Sequence, residues 1–157
     1  MKNKILHILI FKHFTPIIPD ALTYTYRRDD VYVVLNYAQQ FFMLFDAVKN
    51  GILQGETYFS DACDFDRKLT EGLMNYEIRK IKGWLCRNKY HVDDNFDGST
   101  VFKRSSDNLH IMIHFENRKY CVFYFNEEKG QPEPCKKNIS YKNYYEFMLQ
   151  IKEGGYI

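Results

Sequence analysis

Two runs of alternating apolar residues near the C-terminal end constrain the fold more than any other feature. Residues 109 to 116 and 119 to 126 are separated only by Asn117 and Arg118, a spacing that predicts a β-hairpin with a two-residue turn. Pairing across this turn places Phe115 opposite Tyr120, Ile113 opposite Val122 and Ile111 opposite Tyr124 on one core face. The chain is therefore predicted to contain an antiparallel sheet.

The opposite face of this hairpin is half apolar and half polar. The same pairing places His114 opposite Cys121, Met112 opposite Phe123 and His110 opposite Phe125. We expect a helix or a binding partner to cover part of such a face, so His110 and His114 are predicted to contact a partner. His114 and Cys121 also allow a second interpretation, as two ligands of a metal site or as a Cys–His nucleophilic pair, because directly opposed Cβ atoms lie about 5 Å apart.

Another hairpin is predicted near the N-terminal end. Residues 22 to 26 and 31 to 35 are rich in β-branched and aromatic residues and flank the polar turn 27 to 30, which is typical of paired strands. Tyr and Arg dominate the binding energy of many protein interfaces, and turns on a rigid sheet often carry function. The alternative is an ordinary turn without a function. The predicted partner-binding residues here are Tyr24, Tyr26, Arg27, Arg28, Asp29 and Tyr32.

Apolar residues at helical spacing predict three helices, at residues 36 to 48, 66 to 88 and 141 to 151. Asn36 is placed to cap the first helix, and Asn50–Gly51 supplies a left-handed stop behind it. Ser140 is the predicted cap of the last helix. Residues 4 to 11 are a short apolar run, which we predict to be a buried strand.

The order of these elements favours the α+β class. We predict an antiparallel sheet of about five to six strands, built from two hairpins and packed by three helices. Because 157 residues suit one ordinary domain, residues 1 to 157 are predicted to form a single α+β domain. Both halves contain a hairpin followed by a helix, but no residue-level repeat relates them, and we interpret this likeness as coincidence.

Charge and composition restrict the class of partner. With 22 Lys and Arg against 20 Asp and Glu, the net charge is only +2, so the chain has no global field to hold a nucleic-acid backbone or an anionic membrane. No apolar run approaches the length of a membrane span, and the N-terminal run lacks a cleavage site for export. Local Lys and Arg runs, such as Arg27–Arg28 and Lys103–Arg104, leave nucleic-acid binding open.

The cysteines and polar motifs indicate neither a resident metal nor a cofactor. Four widely spaced cysteines contain no CxxC pair, which is typical of free thiols in a reducing cytoplasm. Residues 93 to 98 match the opening of a calcium-binding loop, but Arg104 stands at the twelfth position, where a carboxylate is required. Nucleotide-binding and hydrolase motifs are lacking as well. No cofactor and no enzymatic activity are therefore predicted.

These features favour a small, non-enzymatic, cytoplasmic and aromatic-rich protein that acts by stoichiometric binding to a macromolecular partner. A protein is the preferred partner, a homodimer stays open, and a membrane is not expected. The size and composition suit a phage or mobile-element inhibitor of a bacterial enzyme or defence system, or an immunity-type protein. The first alternative is a nucleic-acid-binding protein with local Lys and Arg patches. The second is a thiol- or metal-dependent enzyme at the Cys121 and His114 pair.

Overall fold

A computed structural model describes residues 1–17, 23–126 and 128–157, which form three helices and ten strands. The helices are α1 (Lys2–Phe11), α2 (Ala62–Arg87) and α3 (Tyr144–Glu153). The first five strands are β1 (Thr15–Pro16), β2 (Thr23–Arg28), β3 (Val31–Asn36), β4 (Phe41–Asp46) and β5 (Ile52–Tyr58). The other five are β6 (Tyr90–Phe96), β7 (Ser99–Arg104), β8 (Leu109–His114), β9 (Lys119–Asn126) and β10 (Gln131–Ser140).

The α+β class, the antiparallel pairing and the number of helices, three, are confirmed, but only two of the three observed helices are the predicted ones. The strands are divided between two five-stranded sheets, β1 to β5 and β6 to β10, each with its strands in chain order, whereas we expected one sheet. Among the described residues, no helix is long and apolar enough to cross a membrane.

The chain divides into two compact units, Met1–Leu73 and Met74–Ile157, and the division falls inside α2. The first unit contains α1, the β1 to β5 sheet and the first half of α2. The second unit contains the second half of α2, the β6 to β10 sheet and α3. Each unit is therefore a helix, a five-stranded antiparallel meander and a helix. The single domain over residues 1 to 157 stays a prediction.

Each unit has a core between one face of its sheet and its own helices. In the first unit, inward residues of β3 and β4 meet one side of α1 and α2; in the second, inward residues of β8 and β9 meet α2 and α3. Burying each such side chain stabilises the fold by about 1.5–3 kcal/mol. The fully buried residues include Ile5, Leu9, Leu35, Phe42, Leu44, Phe65 and Leu69 in the first unit and Ile81, Leu85, Ile111, Ile113, Val122, Phe147 and Ile151 in the second.

The two cores repeat the same cluster of three aromatic rings. Counting strands within each unit, one ring is the second residue of the fourth strand and one follows the fifth strand. The third ring is the fourth residue of the helix that comes after the sheet, which is α2 in the first unit and α3 in the second. They are Phe42, Phe59 and Phe65 in the first unit and Tyr120, Tyr141 and Phe147 in the second. The helix ring lies 5.3 and 5.1 Å from its two neighbours in the first unit and 5.1 and 5.3 Å in the second.

The turn between the third and fourth strands is also repeated. In the first unit the Asn36 side chain accepts a hydrogen bond from the backbone N–H three residues later, over 2.9 Å. In the second unit Nδ1 of His114 accepts from the backbone N–H three residues later, over 3.3 Å. Each turn ends on a left-handed residue, Gln40 with a φ of 53° and Arg118 with a φ of 50°.

The connection between the helix that precedes each sheet, α1 or α2, and the first strand of that sheet is repeated as well. A left-handed residue follows each helix, His13 with a φ of 67° and Lys89 with a φ of 70°. The next residue has a buried aromatic ring, and the arginine that ends the second strand of the unit lies over this ring. The guanidinium carbon of Arg28 is 4.9 Å from the centre of the Phe14 ring, and that of Arg104 is 5.5 Å from the centre of the Tyr90 ring. These independent correspondences show a structural repeat, so the likeness of the two halves is not a coincidence.

The prediction of a strand at residues 4 to 11 is wrong, because these residues form α1. A short apolar run has no periodicity that separates strand from helix. In the structure Ile5 and Leu9, one helical turn apart, are fully buried, while Ile10 and Phe11 are exposed. Only one side of the run faces the core.

The prediction of a helix at residues 36 to 48 is also wrong. Asn36 does accept the hydrogen bond expected of a cap, but it lies in a four-residue turn before β4. The left-handed residue Asn50, with a φ of 54°, lies in the turn between β4 and β5. Caps and tight turns use the same local hydrogen bonds, so these signals alone did not distinguish them.

The two remaining helices and both hairpins are confirmed with shifted bounds. α2 begins four residues earlier than predicted at Ala62, and α3 is capped by Asn143, whose side chain accepts from Glu146 N–H. Residue 22 of the first hairpin lies outside the described residues. The second hairpin has a four-residue loop, so His110 pairs with Phe123 and Met112 with Cys121. This register differs from the prediction by two residues and keeps every side chain on its expected face.

Candidate partner-binding surface

The outward side of the first sheet is unusually apolar. On β3 and β4 inward residues alternate with half-buried ones, and most of the half-buried residues are large and apolar. Register extends this surface onto β5, where Ile52 pairs with Phe45 and Tyr58 with Phe41. Antiparallel sheets usually present polar residues on their solvent side. We call this surface the first outer face; its large side chains are Arg27, Tyr32, Val34, Phe41, Met43, Phe45, Ile52 and Tyr58. Thr25 and Asn36 lie on the same side, because Thr25 pairs with Val34 and Asn36 with Phe41.

The side chains of the first outer face differ in accessibility. Ile52 is 64% exposed and Tyr58 53% exposed, while the residues on β3 and β4 are half-buried among their neighbours. The rings of Phe41 and Tyr58 lie 5.4 Å apart, and the Tyr58 hydroxyl donates to Glu56. The apolar side chains of the face are therefore contiguous, and the polar residues Thr25, Asn36 and Glu56 lie beside them.

Arg27 borders these apolar side chains at β2. Its guanidinium carbon lies 5.4 Å from the centre of the Tyr32 ring, and its Nε donates to the Asp29 carbonyl over 2.9 Å. Stacking and this hydrogen bond fix the planar group while the side chain stays exposed. A guanidinium binds a carboxylate with two parallel hydrogen bonds, so an exposed Arg27 is suited to an acidic group.

Strand alternation divides the predicted binding tip between two faces. Arg27 and Tyr32 lie on the first outer face, and Asp29 lies exposed in the turn. Tyr24, Tyr26 and Arg28 point to the inner side. Tyr26 is only 5% exposed, so it is part of the core.

The two other inward residues of the tip are engaged locally. Arg28 donates to the Lys12 carbonyl over 3.1 Å and lies over the Phe14 ring. The Tyr24 ring contacts the Tyr37 ring edge-on, with centroids 5.1 Å apart. A partner-binding role for the whole set stays a prediction, and the geometry concentrates accessible area on Arg27, Asp29 and Tyr32.

The predicted face of the second sheet, here called the second outer face, consists of Val101, Lys103, His110, Met112, His114, Lys119, Cys121, Phe123 and Phe125. His110 is 7% exposed, and its ring stacks on Phe123 with centroids 5.1 Å apart. Its Nδ1 donates to the Asn108 carbonyl over 2.7 Å, and its Nε2 lies 3.9 Å from a carboxylate oxygen of Asp93. Three neighbours thus engage the His110 imidazole.

The predicted alignment of His114 with Cys121 is wrong. His114 pairs with Lys119, because the hairpin loop has four residues instead of two. Its Nδ1 accepts from Asn117 N–H, and its ring lies against Gly98. Burial raises the pKa of the Cys121 thiol, which opposes formation of a thiolate. Among the described residues, no group of three His, Cys, Asp or Glu side chains could hold a metal ion.

The calcium-like segment forms the turn between β6 and β7. Asp97 and Gly98 both have left-handed backbone, with φ values of 49° and 78°, as a tight hairpin turn requires. Asn95 accepts a hydrogen bond from the Thr100 hydroxyl instead of facing an ion. Asp, Asn and Gly are present here because they suit the turn.

Two of the basic runs that kept nucleic-acid binding open, Arg27–Arg28 and Lys103–Arg104, are also split by alternation. Arg104 faces inward and forms a two-bond pair with Asp107, at 2.9 and 2.6 Å, while Lys103 faces outward. Arg28 likewise turns inward beside an outward Arg27. Each of these runs therefore supplies one outward cation instead of two.

A shallow depression of about 410 Å³ lies at the end of the second sheet. Its lining combines two carboxylates, two amides and two half-exposed rings: Asn108, Tyr124, Phe125, Asn126, Glu128 and Glu133. The amide of Asn126 donates to Glu133 over 3.0 Å, and Lys129 lies 3.8 Å from the same carboxylate. The polar groups of this depression are largely engaged with one another.

Comparison of the chain with family models, with curated proteins and with solved structures finds no match.

Proposed function

We propose that this chain is a non-enzymatic protein that acts by stoichiometric binding to a protein partner through the first outer face. The observation that carries this proposal is the contiguous set of apolar side chains on the outward side of the first sheet. Large apolar side chains clustered on the outward side of an antiparallel sheet favour an interaction site, because polar residues usually occupy this side and exposing apolar surface to water is unfavourable.

The residue types on this surface support a protein as the partner. Aromatic residues, Met and Arg are enriched in the buried centres of interfaces, and Tyr and Arg are frequent hot spots. Tyr32 with its stacked Arg27 is such a pair, and Met43 provides an adaptable side chain beside them. A nucleic-acid backbone would instead require several outward cations, whereas Arg27 is the cation of this face.

The biological setting is part of the proposal. An abundance of Lys, Asn, Ile, Tyr and Phe suits an AT-rich genome, and the small size suits an inhibitor encoded by a phage or mobile element or an immunity-type protein. Such a protein would act in the cytoplasm on a bacterial enzyme or defence system. This part rests on association with composition, and the contact surface does not depend on it.

Photo-crosslinking tests the proposal with a control inside the same chain. Val34 and Met112 occupy equivalent outward positions, since each is the fourth residue of the third strand of its unit. A photoreactive amino acid at position 34, in cells of the source organism, should crosslink to one partner protein. The same group at position 112 should not. Equal crosslinking at both positions, or none at position 34, would refute the proposal.

The salt dependence of binding distinguishes the nucleic-acid alternative from the proposed protein partner. Binding to mixed DNA and RNA that falls steeply between about 50 and 200 mM salt would indicate phosphate contacts and would replace the proposal. Protein capture that survives this change and is lost in a Val34→Lys variant would support the apolar surface.

A further inference from the structure

The size of the first outer face restricts what can dock on it. Four strands about 4.8 Å apart, with four residue steps of about 3.3 Å along each strand, give a footprint of roughly 15 by 15 Å. A stable interface between globular proteins buries about 800 Å² on each partner. The apolar part of this face alone is thus too small for a second copy of this chain, but it fits one secondary-structure element.

Strand register divides the face into three rows. The row of Tyr32 and Phe45 and the row of Phe41 and Tyr58 carry rings at the two ends of the strands. Between them lies the pair of Val34 and Met43, which are narrower side chains. The backbones under the two outer rows are about 13 Å apart, a spacing comparable with the diameter of an α-helix, about 10–12 Å, so one helix can lie over the middle row.

The same sheet already accepts a helix on its inner side. The Phe65 ring of α2 contacts Phe42 of β4 edge-on at 5.3 Å. Gly72 brings α2 so close to β4 that a Cβ at this position would lie 2.9 Å from Cδ1 of Leu44. A helix is therefore an element whose surface matches the twist of this sheet.

Charge places one polar feature on the occupant. Arg27 stands at the β2 end of the Tyr32 row, stacked and exposed. A carboxylate at the corresponding end of a docked helix would pair with it in a bidentate arrangement.

We infer that the first outer face receives an amphipathic α-helix of about three turns from the protein partner, with its apolar residues over the middle row of Val34 and Met43 and an Asp or Glu at Arg27. This inference rests on the proposed function, because it names the class of element that the same surface binds. Recognition uses the apolar side of the helix, with anchors at positions i, i+3 or i+4, and i+7.

The test uses the full chain and two displayed peptide libraries as probes. One library presents 14-residue helical sequences with varied apolar positions, and the other presents extended sequences of the same length. The helical library should be enriched for peptides with the i, i+3 or i+4, i+7 pattern and an acidic residue. Enrichment of extended sequences alone, or of neither library, would overturn the inference.

Matched variants locate the bound peptide. Val34→Lys and Met43→Lys should each weaken the selected peptide at least tenfold, while Met112→Lys at the equivalent position of the second unit should leave its affinity unchanged. Arg27→Ala should weaken acidic peptides several-fold and leave versions with Gln in place of the acid unaffected. Circular dichroism should show that each variant stays folded; equal affinity of folded wild type and Val34→Lys would overturn the inference.

Two outcomes separate this inference from the proposed function. A position-34 crosslink to a non-helical segment of the partner would overturn the helix and leave the proposed function standing. A homodimer in sedimentation experiments that Val34→Lys dissociates would assign the face to a second copy and overturn both.

Discussion

The two units pack equivalent clusters of three aromatic rings, but the residue types in the two clusters differ. In the first unit the ring cluster is wholly apolar, whereas in the second two of the three rings are tyrosines. Tyr120 donates its hydroxyl to Gln150 over 3.0 Å, and burial raises the pKa of Tyr120 to about 12. The ring distances hardly differ between the units. Ring shape and position are therefore what the fold requires, and the hydroxyl groups are additions that need partners of their own.

The outward surfaces of the units differ more than their cores. At equivalent outward positions Tyr32 corresponds to His110 and Phe41 to Lys119. His110 is held by Asn108, Phe123 and Asp93, while the apolar side chains of the first outer face form no such polar contacts to one another. The comparison teaches that the shared positions maintain the fold, whereas the outward positions diverge; under the proposed function, these outward positions would determine binding specificity.

The strongest test of this comparison removes the central ring of each cluster. Phe65→Ala and Phe147→Ala each replace a fully buried ring and should lower the free energy of unfolding by about 3–5 kcal/mol. Urea unfolding followed by circular dichroism measures both. Phe65→Leu and Phe147→Leu provide milder versions if the alanine variants do not fold. Losses that differ severalfold between the two positions would break the equivalence of the clusters.

Replacing the two left-handed turn residues, Gln40 and Arg118, by glycine should change the stability of the protein in opposite directions. Gly removes the strain of left-handed backbone, so Gln40→Gly should stabilise the protein by up to about 1 kcal/mol. Arg118→Gly gains the same relief but loses an ion pair of 2.9 Å to Glu77, whose side chain is only 10% exposed. We expect a net loss of about 2 kcal/mol, less than for a fully buried pair because Arg118 is 45% exposed. Stabilisation by both variants in chemical denaturation would contradict this assignment.

Replacing the two tyrosines by phenylalanine makes the second cluster resemble the first. Tyr120→Phe removes the hydrogen bond to Gln150 and should cost about 1 kcal/mol. The buried Tyr141 hydroxyl has no hydrogen-bond partner among the described residues, so Tyr141→Phe should be neutral or stabilise by up to about 1 kcal/mol. Thermal unfolding of both variants decides the matter, and a destabilising Tyr141→Phe would indicate an unrecognised partner.

The smallest predicted difference between the units concerns the acidic residues in the first turns of α2 and α3, Asp64 and Glu146. Hydrogen bonding from Ser60 N–H, with Lys68 and Arg67 nearby, lowers the pKa of the Asp64 carboxyl. A lowered folded-state pKa stabilises the protein above the unfolded value of about 4, and this stabilisation is lost as the pH falls further. Asp64→Asn should therefore lower Tm by about 1–2 °C at pH 7.

The Tm difference between Asp64→Asn and wild type should shrink progressively below about pH 4. Glu146→Gln at the matching position of α3 serves as the control, because its carboxylate accepts from the Gln150 amide. A Tm difference for Asp64→Asn that grows toward low pH would reverse the predicted sign.

Sequence patterns located the elements whose periodicity was unambiguous. The 3.6-residue spacing around Leu69 and Ile81 predicted α2, and alternation at Ile111 and Ile113 predicted β8. The run Phe41 to Phe45 is apolar on both sides of its strand, so alternation was invisible and the helical interpretation prevailed. That error concealed most of the first outer face, because Phe41, Met43 and Phe45 belong to it.

Two residues of the first outer face were singled out from the sequence, although their binding role stays a prediction. Arg27 and Tyr32 were predicted from residue type and turn position, and alternation alone, applied from a known core residue such as Tyr26, would have separated them from Arg28. The structural repeat had no comparable signal, because its two copies share positions and distances more than residue identities. The equivalence of Phe65 and Phe147 is therefore visible only in the structure.

The turn closed by Asn36 in one unit and by His114 in the other has a consequence for how the two units are compared. An amide and an imidazole are dissimilar in any substitution table, yet each supplies a lone pair to the N–H three residues on. What the two turns share is an acceptor atom at one place, followed four residues after it by left-handed backbone. A pattern written in acceptors and backbone angles therefore matches both units, whereas a comparison of residue types does not.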